Sequence, residues 1–351
     1  MHVGAVKRWS KSCVCFVIVL IVFNALFVFQ TNSFRNQSNK HLRSDNKRQH
    51  RSLHKQALAA TRVCTQQERK TFLQTKCKTL RDHNYPFMTS RTRFLVDDVS
   101  KVAFCQVPKA ASSTMNRLLM TSRSRAMTSL VRTSHDQQVL EHDFNLRFES
   151  DVTRLVNYTK ILVVRNPYSR LLSAFEDKIN SKRDKNPKYS SIRSGLRRSQ
   201  RMTSSNRSEN ISLKTFLDRI LFDKQVPSRV RYDPHWRPFS LLCSPCSIDY
   251  DVIIRTETFD SDVTAFFLPL LHLNNDDVVE ATRNVNPRRF ERLQQTTDFV
   301  SVLEQLTRVG RTRINQLQSH YALDEVLFGY SFDKSCGRAQ CGIETHHDVC
   351  C

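Results

Sequence analysis

From Cys13 to Phe29 the chain reads CVCFVIVLIVFNALFVF, with no charged residue and Asn24 as its one strongly polar side chain. Inside a bilayer the backbone N–H and C=O groups have no water to pair with, so a run of this kind crosses as a helix. It sits at the short end of the roughly 17 to 25 residues such a helix needs, and Gln30, Thr31 and Asn32 extend it through the interface. It is longer than the roughly 7 to 15 apolar residues of a cleaved signal peptide, and no small-x-small cleavage site follows, so we read it as an uncleaved signal anchor. Lys7, Arg8 and Lys11 precede it. These charges hold the N-terminal tail in the cytoplasm and send the rest of the chain into the lumen.

That compartment decides how the charge is read. Lys plus Arg number 55 against 33 Asp plus Glu, a formal net charge of +22, which predicts attraction to polyanions and says nothing about fold. A luminal chain does not meet nucleic acid as a routine partner, which leaves an acidic glycan as the leading candidate. Nine cysteines lie beyond the anchor, at Cys64, Cys77, Cys105, Cys243, Cys246, Cys336, Cys341, Cys350 and Cys351. In an oxidising lumen most should pair, with connectivity open and the odd number leaving at least one thiol free or intermolecular. Cys243-Ser244-Pro245-Cys246 is a lone C-x-x-C without a second ligand pair, so structural disulfides are expected there in preference to zinc or thiol redox chemistry. Four glycosylation sequons, at Asn36, Asn157, Asn206 and Asn210, suit a secretory chain, with Asn157 placed near the expected core.

Apolar residues at 39% and only 6 glycines exclude a disordered or collagen-like chain. The expected organisation is a cytoplasmic tail over 1–12, an anchor over 13–30, a stem over 31–90, a main domain over 91–335 and a Cys-rich tail over 336–351. The stem is rich in Asn, Ser, Gln, Lys, Arg and His and offers little to bury, apart from a helix around Gln66 to Leu80. A second polar stretch, Asn180 to Asn210, reads as an exposed loop, and its Arg193, Arg197, Arg198 and Arg201 could grip an acidic acceptor. Between these breaks, Val102 to Val107, Lys160 to Arg165 and Tyr250 to Glu257 are short apolar runs of the type buried on both faces of a parallel sheet. Helical patterns follow each of them, with Leu171, Phe175 and Ile179 at spacing four in a helix starting near Pro167. Thr297 to Tyr321 also reads as largely helical. Strand then helix, repeated, predicts an α/β fold with a central, mostly parallel sheet flanked by helices.

Two turns in this pattern carry chemistry. Pro108-Lys109-Ala110-Ala111-Ser112-Ser113-Thr114 lies between a strand and the helix MNRLLM. Small residues, a helix start and a lysine make an anion cradle, while the missing glycines of G-x-x-x-x-G-K-[ST] disfavour a nucleoside-triphosphate kinase. In Val164-Arg165-Asn166-Pro167-Tyr168-Ser169-Arg170-Leu171-Leu172-Ser173, an arginine ends a buried strand, where open α/β sheets bind ligands and a planar guanidinium suits phosphate. The plainer readings are an ordinary βα turn and a solvated strand-end arginine.

Taken together, VPKAASSTMNRLL resembles the 5′-phosphosulfate loop, and VRNPYSRLLSAFEDK the 3′-phosphate motif, of Golgi carbohydrate sulfotransferases that use 3′-phosphoadenosine-5′-phosphosulfate (PAPS). His235-Trp236-Arg237-Pro238, Leu242-Cys243-Ser244-Pro245-Cys246, Tyr250-Asp251-Val252-Ile253 and the segment Tyr321 to Tyr330 are similar in order and spacing to the branch with chondroitin 4-sulfotransferases and the HNK-1 sulfotransferase. The resemblance covers roughly residues 95 to 330. It implies a P-loop-like sulfotransferase fold, a type II Golgi membrane protein, and transfer of sulfate to an acidic glycan, with GalNAc O-4 of chondroitin or dermatan as the first acceptor. Ala111-Ser112-Ser113-Thr114-Met115 departs from that branch toward the Ser/Thr-rich loops of uronyl 2-sulfotransferases. A uronyl 2-OH, a terminal GalNAc and the HNK-1 glucuronic acid therefore stay open as acceptors, and a catalytically inactive, membrane-anchored glycosaminoglycan binder is the rival outside the class.

The resemblance also assigns roles. Residues 108–114 would hold the 5′-phosphosulfate, with Lys109 on the leaving phosphate; Arg165 and Ser173 would bind the 3′-phosphate, with Arg170 assisting. In-line sulfuryl transfer asks the protein to position reactants and balance charge, and no metal is required. A histidine is the natural base for the acceptor hydroxyl. His135 ranks first by its place between the two motifs, followed by His142 and His235.

Overall fold

The computed structural model describes residues 65–85, 92–124, 136–181, 186–203, 210–277 and 299–332, all within one unit, Val63–Cys351. The expected tail, the anchor, the stem up to residue 64 and the Cys-rich tail lie outside the described residues, as do His135, Asn36 and Asn206. Among the described residues no helix is long and apolar enough to cross a membrane.

Five strands form one sheet: β1 (Phe94–Asp97), β2 (Val102–Cys105), β3 (Arg147–Glu149), β4 (Thr159–Val164) and β5 (Val252–Arg255), in the order β3-β1-β2-β4-β5. The three runs expected as strands are β2, β4 and β5, and they lie side by side in parallel, with Phe104 opposite Ile161 and Ile161 opposite Val252. Ile161, Leu162, Val163 and Val164 are fully buried. At about 1.5 to 3 kcal/mol for each such side chain, they make β4 the centre of the fold. The antiparallel pair β1 and β3 extends the β2 edge and was not expected. At four and three residues these strands are too short to show a period. The outer one, β3, is blunted by charge: Arg147 pairs with Asp98 at 2.9 Å and with Glu149 at 3.0 Å.

Helix α1 (Gln66–Asp82) falls where the sequence predicts a helix, inside the segment expected as stem. Thr65 and Glu68 close a capping box at its start. The helix is packed onto the sheet domain. Arg69 forks onto Asp262 at 2.6 and 3.0 Å, both buried, Gln66 exchanges hydrogen bonds with the backbone of Ile253, and Cys77 is bonded to Cys246. An ion pair and a disulfide join Leu73 in docking this helix, and partners so distant in sequence could not be read from the segment itself.

Helix α2 (Ser112–Arg123) follows β2, and α3 (Pro167–Ala174) follows β4 and widens into a π-helical turn, Phe175–Asn180. The stretch expected as a basic loop is largely a helix, α4 (Pro187–Thr203). Tyr189, Arg193 and Leu196 are buried and Ile192 partly so, an i, i+3, i+4, i+7 stripe hidden among basic residues. Helices α5 (Phe299–Thr307) and α6 (Arg311–Phe328) complete the described chain, and α6 ends on Gly329 at φ 68°. That left-handed cap is open to glycine at no steric cost.

Two apolar clusters result. One fills the sheet and its flanking helices; the other gathers Tyr168, Leu171, Phe175, Tyr189, Trp236 and Tyr321 between α3, α4 and α6. Asn157 and Asn210 are both exposed, so the placement of Asn157 near the core is corrected: it lies in the turn before β4.

Candidate active site

The two motifs meet where β2 and β4 end. Beyond β2 the chain passes through buried Val107 and Ala110, while Lys109 (φ 68°) and Ala111 (φ 55°) are left-handed. For residues that are not glycine this costs about 1 to 3 kcal/mol each, so the surrounding packing must hold the turn. Helix α2 starts earlier than expected, at Ser112, and its N-cap Ala111 supplies no side-chain hydrogen bond. The Thr114 and Met115 amides turn back onto the Ala111 carbonyl at 2.9 and 3.0 Å, and the positive end of the helix dipole with its small residues is a setting that suits an anion. Ser112 and Thr114 are buried there; Ser113, Pro108 and Lys109 are partly exposed. The start of α3 is different: Asn166 Oδ1 accepts from the amides of Tyr168 and Ser169 at 3.0 and 3.1 Å, and Pro167 needs no partner.

Two arginines tie the motifs together. Arg165 is 1% exposed, and its Nη1 donates to the Lys109 carbonyl at 2.9 Å. Burial pushes its guanidinium down to about 10, against a smaller upward pull from Glu257. A shift of this size is on the order of 3 kcal/mol against the charged form. One or two charge-assisted hydrogen bonds to a bound anion would return as much. Arg165 is therefore a buried cation, not a solvated strand-end arginine. Arg170 is fully buried. It donates from Nε to the Pro108 carbonyl at 3.0 Å, from Nη1 to Arg237 at 2.7 Å and from Nη2 to Pro234 at 2.7 Å. Three of its donors pin the lysine turn to the His235 segment. Ser173 sits partly buried on α3.

Lys109 Nζ meets Asp177 of the π-helical turn at 2.9 Å. Asp177 in turn lies 3.4 Å from Lys178 Nζ, whose ammonium sits 5.2 Å from the centre of the Tyr189 ring. The Tyr189 hydroxyl is 2.8 Å from His235 Nδ1, and that nitrogen is 2.8 Å from Asp233 Oδ1. Asp233 is fully buried, and its carboxylate also faces Lys188 and the His235 amide. Burial alone would raise its pKa, but hydrogen bonds from His235 and Lys188 hold it well below the usual carboxylate range. The segment is fixed from behind by buried Trp236, whose carbonyl accepts from Tyr321 at 2.8 Å.

Of the histidines, His235 belongs to this cluster, and His142 is exposed on the turn that leads into edge strand β3. The cysteines of the C-x-x-C do not pair with each other: Cys243 is bonded to Cys105 at the end of β2, and Cys246 to Cys77. A cavity of about 230 Å³ lies beside the Cys77–Cys246 bond, lined by Lys70, Arg81 and Asp249 among others and by no residue of the 108–114 turn or of the Arg165–Ser173 segment. Among the described residues no group of three or more His, Cys, Asp or Glu is placed to hold a metal ion. Asp177, Asp233 and Tyr189 escaped the sequence reading. Asp177 stood inside a quoted motif and Asp233 two residues before another, but only the fold shows which charge each one faces.

Comparison with known proteins gives the family. Residues 92–331 match the description "Sulfotransferase family". The chain is 30% identical over 280 residues to mouse carbohydrate sulfotransferase 8, covering 76% of this chain and 64% of that one. It is 29% identical over 276 residues to human carbohydrate sulfotransferase 9, covering 76% and 60%. With mouse carbohydrate sulfotransferase 11 it shares 25% over 249 residues, 68% of this chain and 66% of that one. The chain thus spans somewhat less than two thirds of the length of the first two relatives. No solved structure matches it. With the matched region covering residues 92–331, more than half of the chain and both turns described above, the chain belongs to the sulfotransferase family.

Proposed function

We propose that the chain is a PAPS-dependent carbohydrate sulfotransferase that moves sulfate to a glycan hydroxyl, with GalNAc O-4 of chondroitin or dermatan as the first acceptor to test. The observation that carries this reading is the bond from Arg165 to the Lys109 carbonyl, which puts a buried guanidinium beside an anion-suited helix start. The residues present fit a donor with two anionic ends. Pro108, Lys109, Ala110, Ala111, Ser112, Ser113 and Thr114 would hold the 5′-phosphosulfate, and Arg165 with Ser173 the 3′-phosphate. Arg170 keeps the two loops in register. PAPS supplies the sulfuryl group; the chain positions it, and Lys109 balances charge on the departing phosphate.

The anchor over 13–30 and the charge of +22 support a type II protein of the Golgi membrane whose main domain, 91–335, faces the lumen and an acidic acceptor. The two disulfides among described residues agree with an oxidising compartment. The test is to incubate the purified chain with labelled PAPS and desulfated chondroitin, dermatan and heparan, then map the product disaccharides. Label on GalNAc O-4 is the expected result. Label on a uronyl 2-OH, or with terminal GalNAc or HNK-1-type acceptors added, would reassign the acceptor. Binding of heparin without binding of 3′,5′-ADP would replace the reading with a glycosaminoglycan-binding protein.

A further inference from the structure

We infer that His235 is the base that takes the acceptor proton and that Asp233 is its positioning residue, an assignment that rests on the sulfotransferase reading above. Nδ1 of His235 lies 2.8 Å from Asp233 Oδ1. A carboxylate only accepts, so Nδ1 carries the hydrogen and Nε2 keeps its lone pair. The Tyr189 hydroxyl lies 3.2 and 3.3 Å from the two oxygens of Asp233, and Lys188 binds the same carboxylate. The orienting group is therefore itself held from helix α4. The His235 side chain is 21% exposed, so the ring is not sealed in the core.

The balance of burial and neighbouring charge disfavours the protonated ring. Burial pushes the His235 pKa below its ordinary value; Asp233 pulls it up; Lys178 and Lys109 push it down. A neutral imidazole with a fixed tautomer is the state a general base requires. In the step, the acceptor oxygen forms a bond to sulfur as its proton passes to His235 Nε2. The bond from sulfur to the 5′-phosphate oxygen breaks, and its electron pair goes to that phosphate beside Lys109. The link through Arg170, which donates to the carbonyls of both Pro108 and Arg237, keeps the base segment and the donor loop together.

The charged and titratable groups facing His235 are Asp233 on its own segment, Lys188 and Tyr189 of α4, Lys178 of the π-helical turn and Lys109 of the β2 loop. This set makes the test directional. On the purified full chain, 3′,5′-ADP affinity is measured alongside sulfate transfer to desulfated chondroitin or whichever acceptor the panel selects. His235→Gln should hold 3′,5′-ADP within about 2-fold of the parent and lose about 100-fold or more in kcat. Asp233→Asn should move the acidic limb of the kcat/KM profile to lower pH, because it removes the group that raises the His235 pKa. Lys178→Gln should move that limb to higher pH. A purely structural cluster would not shift the limb in opposite directions. Retention of kcat within about 3-fold in His235→Gln, or an unmoved limb in Lys178→Gln, overturns the assignment, and both arms stand even where Asp233→Asn fails to fold. Failure of the parent chain to bind 3′,5′-ADP would overturn the sulfotransferase reading instead.

Discussion

The guanidinium of Arg165 donates to the main-chain carbonyl of Lys109 at 2.9 Å, so the end of β4 grips the backbone of the turn that follows β2. The bond spans 56 positions in sequence and joins two neighbouring parallel strands at the same edge of the sheet. It leaves the Lys109 ammonium on one side of the turn, against Asp177, and a buried cation on the other.

Removing Arg165 should weaken donor recognition. Truncating one member of a buried, charge-assisted set costs about 2 to 5 kcal/mol, so Arg165→Ala should weaken 3′,5′-ADP binding by roughly 100-fold. Titration calorimetry of the purified chain checks this. An affinity within about 3-fold of the parent would mean that the guanidinium serves only the turn.

Asp177 should act in the opposite sense. Its carboxylate is 37% exposed and neutralises the Lys109 ammonium, an arrangement worth at most about 1 kcal/mol. Asp177→Asn should therefore leave the melting temperature nearly unchanged and tighten 3′,5′-ADP binding by about 2-fold to 5-fold, since the anion no longer competes with a carboxylate. Weaker binding in this variant would show that Asp177 instead holds Lys109 in its useful position.

The docking of α1 should draw much of its stability from one buried ion pair. Arg69 and Asp262 are both buried and form a two-pronged contact. Breaking such a pair from one side leaves an uncompensated charge and costs about 3 to 5 kcal/mol. Asp262 also accepts from the Arg255 amide and the Thr258 hydroxyl, so the pair is broken from the other side: Arg69→Met should lower unfolding free energy by about that amount in a urea titration, whereas a loss under about 1 kcal/mol would show that water or another group can take over.

Loss of the Cys105–Cys243 bond should be felt at the donor loop. It ties the last residue of β2 to the short helix Phe239–Cys243 and closes a long stretch of chain. Replacing both cysteines by serine should cost about 2 to 5 kcal/mol of stability and reduce 3′,5′-ADP affinity along with it. Thermal melts with and without ligand separate the two effects, and unchanged affinity in a folded variant would confine the bond to a role in stability.

The three parallel strands were legible because each is a short apolar run, and the two motifs because lysine, small residues and arginine stand at strand ends in a readable order. The same reading missed β1, β3 and the helical stripe of α4, where the elements were too short or too crowded with basic residues for a period to show. It could not show what holds Arg170 in place, since nothing local reveals that three of its donors go to carbonyls more than sixty positions away.

The sequence by itself determined the strand-then-helix alternation, the surplus of positive charge and the positions of Lys109 and Arg165, because these follow from side-chain type and spacing along the chain. Only the tertiary structure decided that Cys77 pairs with Cys246 and Cys105 with Cys243, that Asp177 faces Lys109, and that Asp233 and Tyr189 close on His235. Those relations depend on which distant segments the packed core brings within hydrogen-bonding reach, and burial then sets how strongly each charge is felt.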